Sequence, residues 1–284
     1  MRSIISTNAK DDSRVLLLGA GGRLGRMLWE NWPVAGQLKG QSRRKLEGML
    51  QFDPLNDPEK LASAMAGVAA VVCLSGVTPA HGRASGDSMD LNKTLALAAV
   101  NSAPEGVRVF VASSAAVYGA AIGPHSEDTN VAPVSEYGAA KLAMEQAALA
   151  QGQGRTCVLR IGNVAGADAI LGGWQEGMAL DELPDGSTPR RSYIGARSLA
   201  HVVHRLCFAE DLPQIINIAA PGVVAMGDLL DAAGLAWTRR PSGDQTIPEV
   251  ALETSRVERF YSFEVNECTP KGMVEQLHNS EVET

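Results

Sequence analysis

The chain has 284 residues, 45% of them hydrophobic and 20% charged, the balance of a globular protein with one large core or a main domain and a smaller lobe. Its formal net charge of -7 excludes the basic excess of a nucleic-acid binder, yet leaves room for a local basic pocket around an anionic cofactor. Cys73, Cys157, Cys207 and Cys268 show no metal-ligand spacing and read as reduced thiols. No apolar run is long enough to span a bilayer, and Met1–Arg14 lacks a signal-peptide core, so the expected setting is cytoplasmic.

In chain order, the run Val15–Leu18 predicts a first strand, ending in a glycine-rich turn, and Leu24–Trp32 predicts a helix. A second strand is expected near Gly36–Ser42. Topology demands it there, because Gln37-Leu38-Lys39-Gly40-Gln41 is hardly apolar. Then follow a helix (Pro58–Met65), a strand (Val68–Leu74), a helix (Met89–Asn101), a strand (Val107–Ala112) and a helix (Ser135–Ala150). The strand Cys157–Ile161, the helix Ser198–Ala209 and the strand Ile215–Ala219 complete the alternation. Continuous apolar strands separated by helices predict an α/β fold: a doubly wound, Rossmann-like parallel sheet buried on both faces. After Gly166 the alternation loosens. Residues 1–165 are expected to form a dinucleotide-binding domain and 166–284 a small C-terminal substrate lobe, with 198–220 returning to the main domain.

The turn Gly19-Ala20-Gly21-Gly22-Arg23-Leu24-Gly25 lies between strand and helix, where glycines let the backbone approach a pyrophosphate and the helix N-terminus offers free N–H groups. Gly19, Gly22, Arg23, Leu24 and Gly25 are the expected cofactor contacts. At the end of the second strand an acid would favour NAD, whereas arginine suits a 2′-phosphate. The chain has Ser42-Arg43-Arg44 there, with Arg23 in the turn, so NADP is the expected cofactor through Arg43 and Arg44, with NAD as the alternative.

Tyr137 and Lys141 are four apart on a helix and therefore share a face. A free tyrosine has a pKa near ~10, and an ammonium beside it is expected to lower that value and make the pair a proton carrier. Ser114 stands at the C-terminal end of a central strand, where open α/β sheets bind ligands, and its hydroxyl can steady a substrate carbonyl. His201 and His204 are three apart with no third ligand in sight, so no metal site is expected. Trp174 reads as a core aromatic of the small lobe or as a pocket wall.

Taken together, these motifs resemble the extended short-chain dehydrogenase/reductase family, the NAD-dependent epimerase/dehydratase type. The resemblance rests on Gly19/Gly22/Gly25, on Ser113-Ser114-Ala115-Ala116-Val117-Tyr118-Gly119, and on Tyr137 and Lys141 followed by Glu145. Asp53, Asn92, Glu127, Leu159–Gly166, Arg191-Ser192-Tyr193-Ile194 and Ile216-Asn217-Ile218 extend it over most of the chain. It implies Ser114, Tyr137 and Lys141 as the catalytic set, Lys141 on the nicotinamide ribose, and Asp53 near the adenine. It also implies Ser114, Asn163 and Arg191 as substrate-binding residues. Ala115 and Ala116 stand where family dehydratases carry acids, so water elimination is not expected.

The expected function is hydride transfer between a nicotinamide and a carbonyl or alcohol, including that of a nucleotide sugar. A sugar-nucleotide epimerase with retained cofactor is one alternative, and a non-catalytic NADP-binding regulatory protein is the other. The expected partner is a small-molecule substrate, without nucleic acid or membrane, and a homodimer is compatible with this reading.

Overall fold

The computed structural model describes residues 14–278, so the segment read as lacking a signal peptide lies almost wholly outside the described residues. In chain order the first half comprises β1 (Arg14–Leu18), α1 (Arg23–Glu30), β2 (Leu38–Ser42), β3 (Leu50–Gln51), α2 (Pro58–Met65), β4 (Val68–Cys73), α3 (Pro79–Ser85), α4 (Leu91–Ser102), β5 (Arg108–Ser114) and α5 (Glu136–Gly152). Next come β6 (Thr156–Ile161), β7 (Asn163–Val164), β8 (Ala179–Glu182), β9 (Arg190–Arg191), β10 (Tyr193–Ile194), α6 (Ala196–Cys207) and β11 (Ile215–Ile218). The remaining elements are β12 (Val224–Ala225), α7 (Met226–Ala232), β13 (Thr238–Pro241), β14 (Glu249–Val250), α8 (Ser255–Glu258) and α9 (Pro270–His278).

Seven strands form one sheet in the order β11-β6-β5-β4-β1-β2-β3, and every pairing in it is parallel. Two apolar layers cover it. On one face Val15, Leu17, Phe110, Leu159 and Ile216 pack with Leu28 of α1 and with Leu199 and Val203 of α6. On the other, Leu16, Leu18, Val71 and Val111 pack with Leu61 of α2, Val100 of α4 and Met144 of α5. Burial on both faces is why these strands read as unbroken apolar runs. The chain winds one way from β1 to β3 and the other way from β4 onward. The crevice between β1 and β4, at their C-terminal ends, is therefore the switch point at which such sheets bind ligands.

The smaller strands lie beyond this sheet. β10 pairs with β7, β9 lies between β12 and β14, and β13 pairs with β8. Between these segments the chain comes back: α6 packs on α1, and β11 closes the sheet beside β6.

β2 shows why its sequence reads poorly as a strand. A Cβ on Gly40 would lie 2.9 Å from the Trp29 indole, so the glycine makes room for α1. The Gln41 side chain is buried, accepting from Gly19 N at 3.0 Å and donating to Phe52 O at 2.5 Å. Polar residues in this strand serve the turn beside it.

Candidate active site

The glycine turn is built by close approach. Gly19 has φ +81°, and a Cβ on it would lie 2.8 Å from the backbone N of Ser75 in the loop after β4. A Cβ on Gly25 would lie 2.2 Å from Gly19 O, so only glycine lets α1 seat on the turn. Gly22 precedes α1 with no side-chain cap, which leaves the first-turn N–H groups, those of Arg23, Leu24 and Gly25, without intrahelical acceptors. That arrangement presents backbone donors and the positive end of the helix to an anion.

The basic residues of this region differ in their engagements. Arg23 Nη1 donates to Ala167 O at 3.3 Å and ties the turn to the segment after β7. Arg44 donates its backbone N–H to Ser42 Oγ at 3.1 Å and its Nη2–H to Gly21 O at 3.3 Å. Arg43 is exposed, and its guanidinium makes no hydrogen bond or ion pair among the described residues. Asp53 follows β3, half-buried, and its Oδ1 accepts from Leu55 N at 2.8 Å.

Three side chains converge past the end of β5. Ser114 is its last residue, and its Oγ accepts from Ala116 N at 3.2 Å. Ser135 caps α5 by accepting from Gly138 N at 3.1 Å. A Cβ on Gly138 would lie 2.5 Å from Ala116 O, so the helix start is pressed onto the turn after β5. This brings Tyr137 beside the Ser114 hydroxyl, which favours its ionised form. Lys141, buried one turn on, donates from Nζ to Ala112 O at 2.8 Å and stands 5.7 Å from the Tyr137 ring centroid.

The electrostatics correct one expectation. Burial raises the Tyr137 pKa above its ordinary value, and the Ser114 hydroxyl, not Lys141, opposes that rise. Lys141 is not among the groups that move it. Its own pKa is pushed down to about 8 by burial, against the opposing pull of Cys73 and Glu145.

Asn92 closes the site from the side of β4. Fully buried, it accepts from Val77 N and donates to Val77 O, both at 3.1 Å, stapling the loop after β4. A Cβ on Gly76 in that loop would lie 2.5 Å from Asn92 Oδ1 and 3.5 Å from Lys141 Nζ. The glycine turn, this loop and Lys141 thus form one continuous wall.

Beneath the site lies a buried polar network. Glu145 accepts from Ser113 Oγ and from Arg160, with Nη2 to Oε2 at 2.9 Å and Nε to Oε1 at 3.1 Å. Arg160 also donates to Tyr118 Oη at 3.0 Å, and Tyr118 donates to Asn217 Oδ1 at 2.7 Å. Asn217 N donates to Glu127 Oε1 at 2.8 Å, and Arg256 pairs with Glu127 at 3.3 Å. A charged residue in the otherwise apolar run Cys157–Ile161, and an acid one turn past Lys141, are the signals for this pairing.

Two of the expected substrate residues, Asn163 and Arg191, have their partners outside this group. Asn163 opens β7 and is the strand partner of Tyr193 in β10, whose hydroxyl donates to Asp168 Oδ2 at 2.8 Å. Arg191 donates to Arg190 O at 2.7 Å and Ile247 O at 3.0 Å. No hydrogen bond among the described residues joins Arg191 or Arg43 to Ser114, Tyr137 or Lys141. Trp174 donates its indole N–H to Ala236 O at 2.9 Å. His204 hydrogen-bonds Gln37 Oε1 at 3.0 Å, and no group of three or more metal-ligating side chains occurs among the described residues.

Several solved structures share this fold. MoeE5, in complex with UDP-glucose and NAD, is 21% identical with a TM-score of 0.73, covering 95% of this chain and 100% of that one. TunA, an NAD dependent-NDP-hexosamine 5,6-dehydratase involved in tunicamycin biosynthesis, is 18% identical with a TM-score of 0.74, covering 94% and 98%. The UDP-glucose 4-epimerase of Thermotoga maritima is 17% identical with a TM-score of 0.72, covering 94% and 99%. No curated protein matches the chain in sequence. The match that identifies it is to a family: residues 15–219, from the first strand through the last strand of the sheet, fit the NAD dependent epimerase/dehydratase family, and the chain belongs to it.

Proposed function

We propose that this family member is an NADP-dependent oxidoreductase that moves a hydride between a nicotinamide and a carbonyl or alcohol carbon, with a nucleotide sugar as the favoured substrate class. The observation that carries the reading is the convergence of Ser114, Tyr137 and Lys141 beside the glycine turn, at the switch point of the sheet. The residues fit a dinucleotide. Gly19 and Gly25 stand where any side chain would collide with backbone, and the start of α1 is open to a pyrophosphate. When bound, the nicotinamide supplies the hydride chemistry.

The chain's own groups do the rest. Ser114 donates a hydrogen bond to the substrate oxygen and steadies the charge that develops there. Tyr137 gives a proton to that oxygen, or takes one from it. Lys141 has three N–H donors, of which Ala112 O takes one, leaving donors for the nicotinamide ribose. Asn163 and Arg191 serve the distal part of the substrate, and Asp53 the adenine. Epimerisation would use the same residues with the cofactor retained, and the fold shared with UDP-glucose 4-epimerase supports it as a second reading. A protein purified with nicotinamide still bound, and inert toward free NADPH, would favour that second reading.

The preference for NADP rests on Arg43, exposed and without a partner among the described residues, directly after the end of β2. Calorimetric titration should show NADP binding more tightly than NAD, and Arg43→Ala should cost roughly 1.5–3 kcal/mol of NADP affinity. Equal or tighter binding of NAD to the unaltered protein would refute this preference.

Water elimination is a separate matter. Ala115 and Ala116 carry no acid, and Glu127 and Glu145 are held in ion pairs with Arg256 and Arg160. Incubation with nucleotide hexoses should therefore yield no 4-keto-6-deoxy product by mass spectrometry, and its appearance would exclude this assignment of reaction class.

A further inference from the structure

One turn past Lys141 on α5 lies an acid that the proposed reaction does not touch. Lys141 and Glu145 are four apart on that helix, which places them on one face, and both are buried, at 6% and 1% exposed. They grip successive residues of β5. Lys141 Nζ donates to Ala112 O at 2.8 Å, and Glu145 Oε1 accepts from Ser113 Oγ. Arg160, opposite Ser113 on β6, meets the same carboxylate. The Lys141 ammonium lies on the β4 side instead, where a Cβ on Gly76 would stand 3.5 Å from Nζ. Glu145 therefore serves two cations, one toward each neighbour of β5.

A buried ammonium is costly unless an acid faces it. Burial pushes the Lys141 pKa down to about 8, against the pull of Cys73 and Glu145. Cys73, at the end of β4, is itself raised to about 11 by burial, so its thiol is uncharged where Lys141 titrates. Tyr137, on the same helix, is raised above its ordinary value by burial and is neutral there too. Asn92 of α4, against the same Gly76, has no charge to offer. Of these groups only Glu145 brings a charge that offsets the ammonium. That charge matters at the site. As an ammonium Lys141 has three N–H donors, of which Ala112 O takes one; as an amine it has one fewer and no charge to strengthen them.

We infer that Glu145 is a positioning residue for Lys141: through Ser113 it fixes the strand end on which the lysine rests, and its carboxylate keeps that lysine an ammonium at neutral pH. The inference rests on the reading above for what Lys141 then does at the nicotinamide ribose. Without the carboxylate, Lys141 stays in place but is neutral over part of the pH range in which the unaltered site is charged.

The test first follows isotope-labelled lysine side chains of the cofactor-free protein by NMR, with Lys141→Met identifying the signal. In Glu145→Gln, which keeps the shape and an acceptor for Ser113, the Lys141 midpoint should fall by about one pH unit or more. Glu145→Asp, which keeps the charge, should recover much of that shift. The double variant Glu145→Met/Arg160→Leu leaves no unpaired guanidinium to weaken the fold or repel the ammonium, and it should also titrate below the unaltered protein. A midpoint unmoved in Glu145→Gln, or restored in the double variant, would overturn the inference. Calorimetric titration of NADP into the unaltered protein and Glu145→Gln supplies the second readout. The two should bind alike at about pH 6, and the variant about threefold more weakly at about pH 7.5, as the charged fraction of Lys141 falls. Equal weakening at both pH values would overturn the inference, marking a merely structural role. A lowered NMR midpoint with affinity unchanged at both would uphold the link between Glu145 and Lys141 and remove the lysine's part at the ribose.

Discussion

Replacing Glu145 with Ala should lower the free energy of unfolding by about 3–5 kcal/mol, among the largest effects any single substitution in this chain would have. Arg160 is only 4% exposed and would keep its charge without the carboxylate that faces it. Ser113 would lose its acceptor as well. The loss comes from leaving a buried charge unpaired rather than from the intrinsic strength of the pair. For that reason, a double variant in which Glu145 and Arg160 both become apolar residues of similar volume should recover much of the stability. Urea titration of the three proteins decides the matter. A loss below about 1 kcal/mol in Glu145→Ala would mean that water or a shifted side chain compensates Arg160, and that the network is not the closed one described.

That network also marks where sequence reading runs out. The five main strands are legible because burial on both faces writes them as apolar runs, such as Val15–Leu18 and Val109–Ala112. Tyr137 and Lys141 are legible because a spacing of four is a helix face, and Ser114 because it ends a strand. β2 is not legible, since its residues answer to neighbours distant in sequence: Gly40 to Trp29, and Gln41 to Gly19 and Phe52. Arg160, Tyr118, Asn217 and Glu127 come from four separate segments, and no local period reports their convergence. Spacing alone puts Tyr137 and Lys141 on one face, whereas the direction of the Lys141 ammonium, toward Ala112 O, is a tertiary fact.

Tyr137→Phe should reduce turnover by roughly 10²–10⁴-fold, the usual consequence of losing general acid–base help. The ring and its packing remain, so affinity for the dinucleotide should stay near that of the unaltered protein, with Gly19, Gly22, Gly25 and Lys141 still in place. Lys141→Met should behave differently and reduce both turnover and affinity. It removes the donors proposed for the ribose and leaves Ala112 O without its partner at the end of β5. The structure adds a third comparison that the sequence did not suggest. Burial raises the Tyr137 pKa and the Ser114 hydroxyl opposes that rise, so Ser114→Ala should push the tyrosine further from the ionised state. In the oxidation direction, where Tyr137 must accept a proton, the pH at which kcat/KM reaches half its plateau should therefore move upward in Ser114→Ala. A steady-state pH profile of each variant, on any substrate the unaltered protein turns over, separates these roles. Near-normal turnover in Tyr137→Phe would place the proton on another group and dismiss the catalytic assignment. An unmoved profile in Ser114→Ala would confine that residue to holding the carbonyl.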